Sequence, residues 1–310
     1  MNTRSVEIYW VLAGLLAAVS LASAIAYALQ RRQPANPSIE NLNTRIRAWW
    51  VLILAGGAAL LAGRIALIVL FACVSFLALR EFLARFPGRR RDSPALWICC
   101  VLTLAAQYLL IGSSSEQFLI CIPVYGFLAL AVTAVLFTGI QGFLERIAIS
   151  YWGLMACVYC ISHIPALMSL RIPGREDTRL LIVFVVLISQ ISDISQYLWG
   201  KLIGRHPVAP VLSPKKTVEG LAGGLFTATL IGALLRPITP FSAWQAGLMA
   251  LLIAVLGFFS GLVMSAIKRE RGIKDWGNLI TGHGGMLDRV DSLCFSAPAF
   301  FHLVKHFFRA

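Results

Sequence analysis

Apolar residues run along this chain in long blocks separated by short polar connections, with no sustained alternation of period two that would mark strands. The blocks fall near 8–29, 49–63, 65–79, 95–112, 117–139, 147–170, 180–200, 218–235, 244–266 and 292–308. A helix needs ~20 mostly apolar residues to cross the hydrocarbon core of a bilayer. The pattern therefore predicts an all-α polytopic membrane protein with about ten transmembrane helices (nine to ten). The second and third blocks are short and parted only by Arg64, which is expected at a tight turn or facing the bundle interior; the last carries Lys305 and His306 near its end. The first block, about 22 residues long, exceeds the ~7–15 apolar residues of a cleavable signal sequence and is read as a span.

Composition excludes a large soluble unit. Of the 310 residues, 58% are hydrophobic and only 13% charged, and the mean hydropathy is +0.79. Ten spans would consume nearly all of this length. The net charge of +13 would suggest a nucleic-acid partner in a soluble protein; here it points to membrane topology and an anionic ligand, with no nucleic acid. Sorted by connection, 19 of the 27 Lys and Arg fall on one side of the ten-span layout. The preference of positive loops for the cytoplasm then puts both termini outside and five loops inside. The seven cysteines all lie within apolar runs, and the Cys157-x-x-Cys160 pair has no second pair beside it, so they are read as packing residues. The chain divides into an extra N-terminal transmembrane helix (1–30), an N-terminal transmembrane bundle (31–179) and a transmembrane region (180–310) in which any catalytic groups are expected, since the polar residues gather there, with cytoplasmic loops at 201–217 and 267–291.

Candidate chemistry is confined to the last region. The seventh block is apolar to Ser189 and then carries Ser192, Asp193, Ser195 and Gln196. A carboxylate within a membrane helix costs roughly 2.5–3.5 kcal/mol, so Asp193 is expected to face a protein cavity or a cation. A loop follows whose Ser213-Pro-Lys215-Lys216-Thr217 places two ammonium groups and two hydroxyls before a helix start, an arrangement suited to phosphate oxygens, although a basic cytoplasmic loop is by itself usually a topology signal. No P-loop spacing is present. Farther on, Ser265, Lys268, Arg269, Asp275, His283, Gly284, Gly285, Asp288, Arg289 and Asp291 crowd into 27 residues. Asp288 and Asp291, three apart, share a helix face and offer oxygens to a hard divalent cation, while the glycines let backbone N–H groups approach an anion.

The run S-x-x-K-R, K-D, H-G-G-x-x-D-R-x-D from Ser265 to Asp291 closely resembles the signature of the phosphatidate cytidylyltransferases (CDP-diacylglycerol synthases). Ser192-Asp193, the Y-x-x-G-K of Tyr197–Lys201 and the S-P-K-K-T-x-E-G-x-x-G-G of Ser213–Gly224 are also similar to that family, as are N-x-R-I-R-A-W-W at 43–50 and R-E-F at 80–82. The resemblance implies a multi-pass enzyme of the inner (plasma) membrane, its active site on the cytoplasmic face of the C-terminal half. The implied reaction joins CTP and phosphatidate into CDP-diacylglycerol with release of pyrophosphate, requires Mg2+ and is run by an enzyme that tends to form a homodimer. On this match Asp288, Asp275, Asp193, Lys268 and Arg269 are catalytic candidates, and Asp275, Asp288, Asp291 and Asp193 are candidate metal ligands. Ser213, Lys215, Lys216, Thr217, Ser265, His283, Gly284, Gly285 and Arg289 are candidate substrate-binding residues.

The chain also departs from the pattern. Where the family commonly carries G-D-L-x-E-S, this sequence has Gly261 and Met264 at the two acid positions. A rearranged metal site, a different lipid phosphate and lost catalysis are the consequences to weigh, in that order. A transporter of anionic solutes is the competing class, but transporters tend to show repeated halves and midplane sites, whereas the polar residues here gather toward one face of one half.

Overall fold

The computed structural model describes residues 3–32, 37–86, 94–175, 177–279 and 284–309. It is helical apart from one small hairpin. The helices are α1 (Thr3–Arg32), α2 (Pro37–Ala62), α3 (Arg64–Ala84), α4 (Pro94–Gly112), α5 (Phe118–Phe137), α6 (Phe143–Ser169), α7 (Arg179–Ile203), α8 (Val218–Leu234), α9 (Ala243–Glu270), the single turn α10 (Leu287–Val290) and α11 (Leu293–Phe308). Eight of them, α1 to α7 and α9, are long and apolar enough to cross a membrane; this is a multi-pass membrane protein. The remaining two expected spans are the shorter apolar helices α8 and α11, with 17 and 16 residues.

The second and third spans, short by hydropathy, are full helices of 26 and 21 residues. The polar first turns of α2 hid its length. Between them the chain breaks at Gly63, whose φ of 95° and ψ of −162° lie in a region essentially reserved for glycine. Arg64, expected at a turn, sits there and donates to the Ile111 carbonyl (2.9 Å) and the Ser114 hydroxyl (2.6 Å), tying the break to the end of α4. Arg179 donates to Leu60 O at 2.8 Å, Arg175 pairs with Glu7 at 3.2 Å and donates to the Thr239 carbonyl, and Lys305 pairs with Glu116 at 3.0 Å. These ties gather one set of helix ends, opposite the end that carries the polar C-terminal loops. Although short, α8 and α11 run between the same two ends.

Helices α5 and α6 each contain a turn of π-helix, Cys121–Gly126 and Met155–Cys160. In α5 the turn contains Pro123, which has no N–H to give to a regular ladder. Cys157 and Cys160 lie within the second π turn as free thiols. The main apolar core runs from α3 to α11 and takes in Ile8 and Leu12 of α1 and Ala59 and Leu60 of α2, with Phe82, Ile161, Phe184 and Phe300 fully enclosed. Helices α1 and α2 form a hairpin with a small cluster of their own, Val19, Ala26 and Ile46, fastened by Trp50 donating to the Ser23 hydroxyl at 3.0 Å.

The C-terminal helices approach closely because small residues line their crossings. A Cβ on Gly224 would lie 2.2 Å from the Gln196 side chain of α7, and one on Gly232 would lie 2.2 Å from Ala250 Cβ of α9. Between α7 and α8 the loop 204–217 folds into an antiparallel pair, β1 (Pro207–Ala209) and β2 (Ser213–Thr217), with Pro207 opposite Thr217 and Ala209 opposite Ser213.

Gly63→Ala should destabilise the protein by about 1–3 kcal/mol, the cost of holding an L-residue in that backbone region. No atom lies within 4 Å of the added methyl, so the cost is conformational, and thermal unfolding in detergent measures it.

Candidate active site

Three stretches meet at the end of the bundle that carries the polar loops: the C-terminal half of α7, the β-hairpin leading into α8, and the segment from the end of α9 through α10 to the start of α11. Helix periodicity alone delivers Asp193 to this face. Ser189 lies one turn before it, and its hydroxyl donates to that of Ser292 at 2.9 Å; Ser292 in turn lies beside the Asp193 carboxylate. Asp193 is open to solvent, in the electrostatic field of Lys216 and Arg289.

Asp288 organises the second stretch. Its Oδ1 accepts from Lys268 Nζ at 2.8 Å, and its Oδ2 accepts from the backbone N–H groups of Trp276 (2.8 Å) and Gly285 (3.0 Å). The pair is almost closed to water, with side chains 12% and 5% exposed for Lys268 and Asp288. One carboxylate thus fastens the end of α9, the 275–276 stretch and the turn into α10. Gly284 makes this possible: its φ is +79°, and a Cβ there would lie 2.9 Å from Asp288 Oδ2 and 3.3 Å from Asp275 Cβ. Asp275 is exposed beside that turn.

Asp291, one residue beyond α10, faces Asp193 and Asp288 on the negative side and Lys268 and Lys216 on the positive side. Burial and then the Asp193 charge push its carboxyl up to about 6, against the pull of Lys268 and Lys216. Lys216 reaches in from β2. Its ammonium lies 4.8 Å from the centre of the Phe258 ring and would be 2.9 Å from a Cβ on Gly261. The missing side chain at Gly261, where an acid was expected, is therefore space that the lysine uses. Burial pulls the Lys216 ammonium down, opposed by Asp193 and Asp291. Met264, the other departed acid position, is fully buried in the core. Arg289 has a buried Nε with no hydrogen-bond partner, a cationic donor left over in a site of mixed charge.

Other expected residues have local partners. Thr217 caps α8, its hydroxyl accepting from Gly220 N at 3.1 Å. Ser265 donates to the Gly261 carbonyl at 2.7 Å. Arg269 donates to Leu212 O (3.3 Å) and Ile273 O (3.1 Å), stapling the hairpin to the end of α9. Lys215 is exposed and Ser213 half-buried on β2. His283 lies outside the described residues. The sequence marked Glu81 and Phe82 only through the R-E-F similarity at 80–82 and gave no role to the support beneath the site. Trp276 is buried against Phe82 (ring centres 5.3 Å apart), and its carbonyl accepts from Arg85 Nε at 2.7 Å. Glu81 of α3 accepts from the N–H groups of Met286 and Leu287, both at 2.9 Å. An acid near the end of an otherwise apolar helix was the available signal.

The chain matches the Cytidylyltransferase family over residues 43–307. It belongs to that family. It is 40% identical over 301 residues, 95% of its own length and 97% of the relative's, to YnbB of Escherichia coli (strain K12), an uncharacterized protein. It is 27% identical over 241 residues, 77% of this chain and 90% of the relative, to a phosphatidate cytidylyltransferase of Staphylococcus epidermidis. A third relative, the phosphatidate cytidylyltransferase of Staphylococcus aureus (strain COL), is 32% identical over 157 residues, 50% of this chain and 60% of that one. The protein is a membrane nucleotidyltransferase.

The donor set of this cytidylyltransferase bears on a metal ion. Among the described residues, no three His, Cys, Asp or Glu side chains converge as a cage. The Asp193 charge nevertheless opposes ionisation of Asp291, and Asp288 is already held by three donors. Two hard carboxylates in one electrostatic neighbourhood are a donor set that fits magnesium, which usually takes one or two carboxylates plus substrate phosphates and no all-protein cage.

Asp288→Ala leaves the Lys268 ammonium buried without its partner and should cost about 3–5 kcal/mol of stability. Adding Lys268→Met should recover part of that loss, as unfolding in detergent of both single variants and the double variant would measure; independent, additive losses would show that the pair does not hold the turn.

Proposed function

We propose that this enzyme is a CTP:phosphatidate cytidylyltransferase, forming CDP-diacylglycerol and pyrophosphate at the cytoplasmic face of the inner membrane. The observation that carries the reading is the mixed-charge cluster, in which Asp193 and Asp291 share the field of Lys216 beside the unpartnered Arg289 Nε. Both substrates are polyanions, and one of them is anchored in the bilayer by its acyl chains. A site at the ends of membrane helices is where the two can meet, and the names of the staphylococcal relatives support phosphatidate as the lipid.

In the proposed reaction an oxygen of the lipid phosphomonoester attacks the α-phosphorus of CTP in line. The bond from that phosphorus to the bridging oxygen of the β-phosphate breaks, and pyrophosphate leaves with the electron pair. The attacking oxygen is already anionic, so no strong base is needed, and the work of the protein is positioning and charge stabilisation. Lys216 and Arg289 offer positive charge and free donors to phosphate oxygens. Lys268, paired with Asp288, orients the turn that carries Arg289 and Asp291. Asp193 and Asp291 would hold magnesium, whose charge favours departure of pyrophosphate. With Gly261 opening space for Lys216, this chain offers a lysine ammonium beside the position of the expected acid.

Purified protein in mild detergent, given labelled CTP, phosphatidate and magnesium, should form lipid-linked CMP in equal amount to released pyrophosphate. Chelation should abolish the product and added magnesium restore it; Asp193→Asn should lower turnover about 100-fold or more. Product only from a different lipid phosphate would reassign the lipid, and no product from any would reject the reaction.

A further inference from the structure

The turn that presents Asp288, Arg289 and Asp291 has a foundation in the other half of the chain. Glu81, near the end of α3, receives Met286 N–H on Oε1 and Leu287 N–H on Oε2, each at 2.9 Å. Both of its oxygens are thus committed to the backbone at the start of α10, across separations of 205 and 206 residues. The approach is close enough to dictate residue type on the opposite side. A Cβ on Gly277 would lie 2.6 Å from Glu81 Oε1, with its three nearest neighbours all atoms of the Glu81 side chain; a Cβ on Gly285 would lie 2.3 Å from Oε2. Glu81 therefore runs through a slot between two strands of loop, both glycine at the point of passage. On either side of it Phe82 packs on Trp276 and Arg85 bonds the Trp276 carbonyl.

We infer that Glu81 is a positioning residue for nucleotidyl transfer: its carboxylate clamps the 284–288 turn and so sets where Asp288, Arg289 and Asp291 stand. The link to turnover rests on the proposed cytidylyltransferase reaction; the clamp itself does not. Two N–H groups at the start of a short helical turn have no intrahelical partners, and a carboxylate is the group best suited to hold both at once. The neutral amide of Gln keeps the size of Glu81 but turns one acceptor into a donor facing an N–H. The catalytic side chains are then released without being altered, and a displacement of about 1 Å at a transferring centre costs on the order of 100-fold in rate.

Hydrogen exchange, turnover and a double-mutant comparison test this together. In the unaltered protein the Met286 and Leu287 amides should be protected from exchange far more than the amide of exposed Asn278, a measurement that needs no variant. Glu81→Gln should expose both amides, leave exchange in the middle of α7 and α9 unchanged, and lower kcat about 100-fold with KM for CTP changed less than about threefold. Gly277→Ala should lower kcat similarly when Glu81 is present, yet add almost nothing in a Glu81→Ala background, because the atoms it strikes are gone. Unprotected amides in the unaltered protein, normal kcat in Glu81→Gln, or additive effects of Gly277→Ala and Glu81→Ala would overturn the inference. If the unaltered protein transfers CMP to no lipid phosphate, the proposed function fails; the same exchange measurement and the thermal stabilities of the Gly277→Ala and Glu81→Ala combination still decide the clamp.

Discussion

The Asp288 carboxylate draws donors from three separate stretches of chain: the Lys268 ammonium at the end of α9, the Trp276 N–H in the following loop and the Gly285 N–H at the turn into α10. A charge so nearly closed to water is tolerated only when paired and fully hydrogen-bonded. Its requirements therefore determine the path of the loop around it. Gly284 takes a positive φ to come within reach, and Trp276 is drawn down onto Phe82 of α3. Arg289 and Asp291, one and three residues further on, inherit their positions from this point.

Around that anchor the site balances charge in a graded way. Lys268 is consumed by Asp288, whereas Lys216 rests on the Phe258 ring and in the space beside Gly261 while feeling Asp193 and Asp291 from a distance. Arg289 retains an unused donor. The proposed reaction, which brings two polyanions together, needs such reserve, since cations fully neutralised by the protein would have little left for phosphate. The two halves of the bundle are also less separate than their composition suggests. Among the described residues, the mixed-charge cluster is made of side chains from the C-terminal half, yet the last turn of α3 holds the turn on which that cluster is built.

Much of this was legible in the sequence. The apolar blocks mark every long helix among the described residues, and the structure places Arg64, Arg175 and Arg179 at one end of the bundle and Lys216 and Lys268 at the other. The second and third spans were underestimated because the polar start of α2 and the charged Arg80 and Glu81 near the end of α3 do not register as hydrocarbon-spanning. The β-hairpin at 207–217 was invisible for the opposite reason: three- and five-residue strands with Pro207 and Pro214 have no periodicity to read. Asp193, Asp288, Asp291, Lys216 and Arg289 were all singled out, and they do gather. Thr217, Ser265 and Arg269 were singled out as well, and their groups are engaged in a cap, a helix and a staple.

By itself the sequence determined a polytopic helical membrane protein with its candidate site residues in the C-terminal half, because span length, charge placement and motif spacing are properties of neighbouring residues. Only the tertiary structure decided which charges are spent and which are free. The Glu81 carboxylate meets its N–H partners across 205 residues, and the Lys216 ammonium finds its room in an absent side chain on a different helix. Such pairings depend on how helices pack against each other, and no local pattern records that.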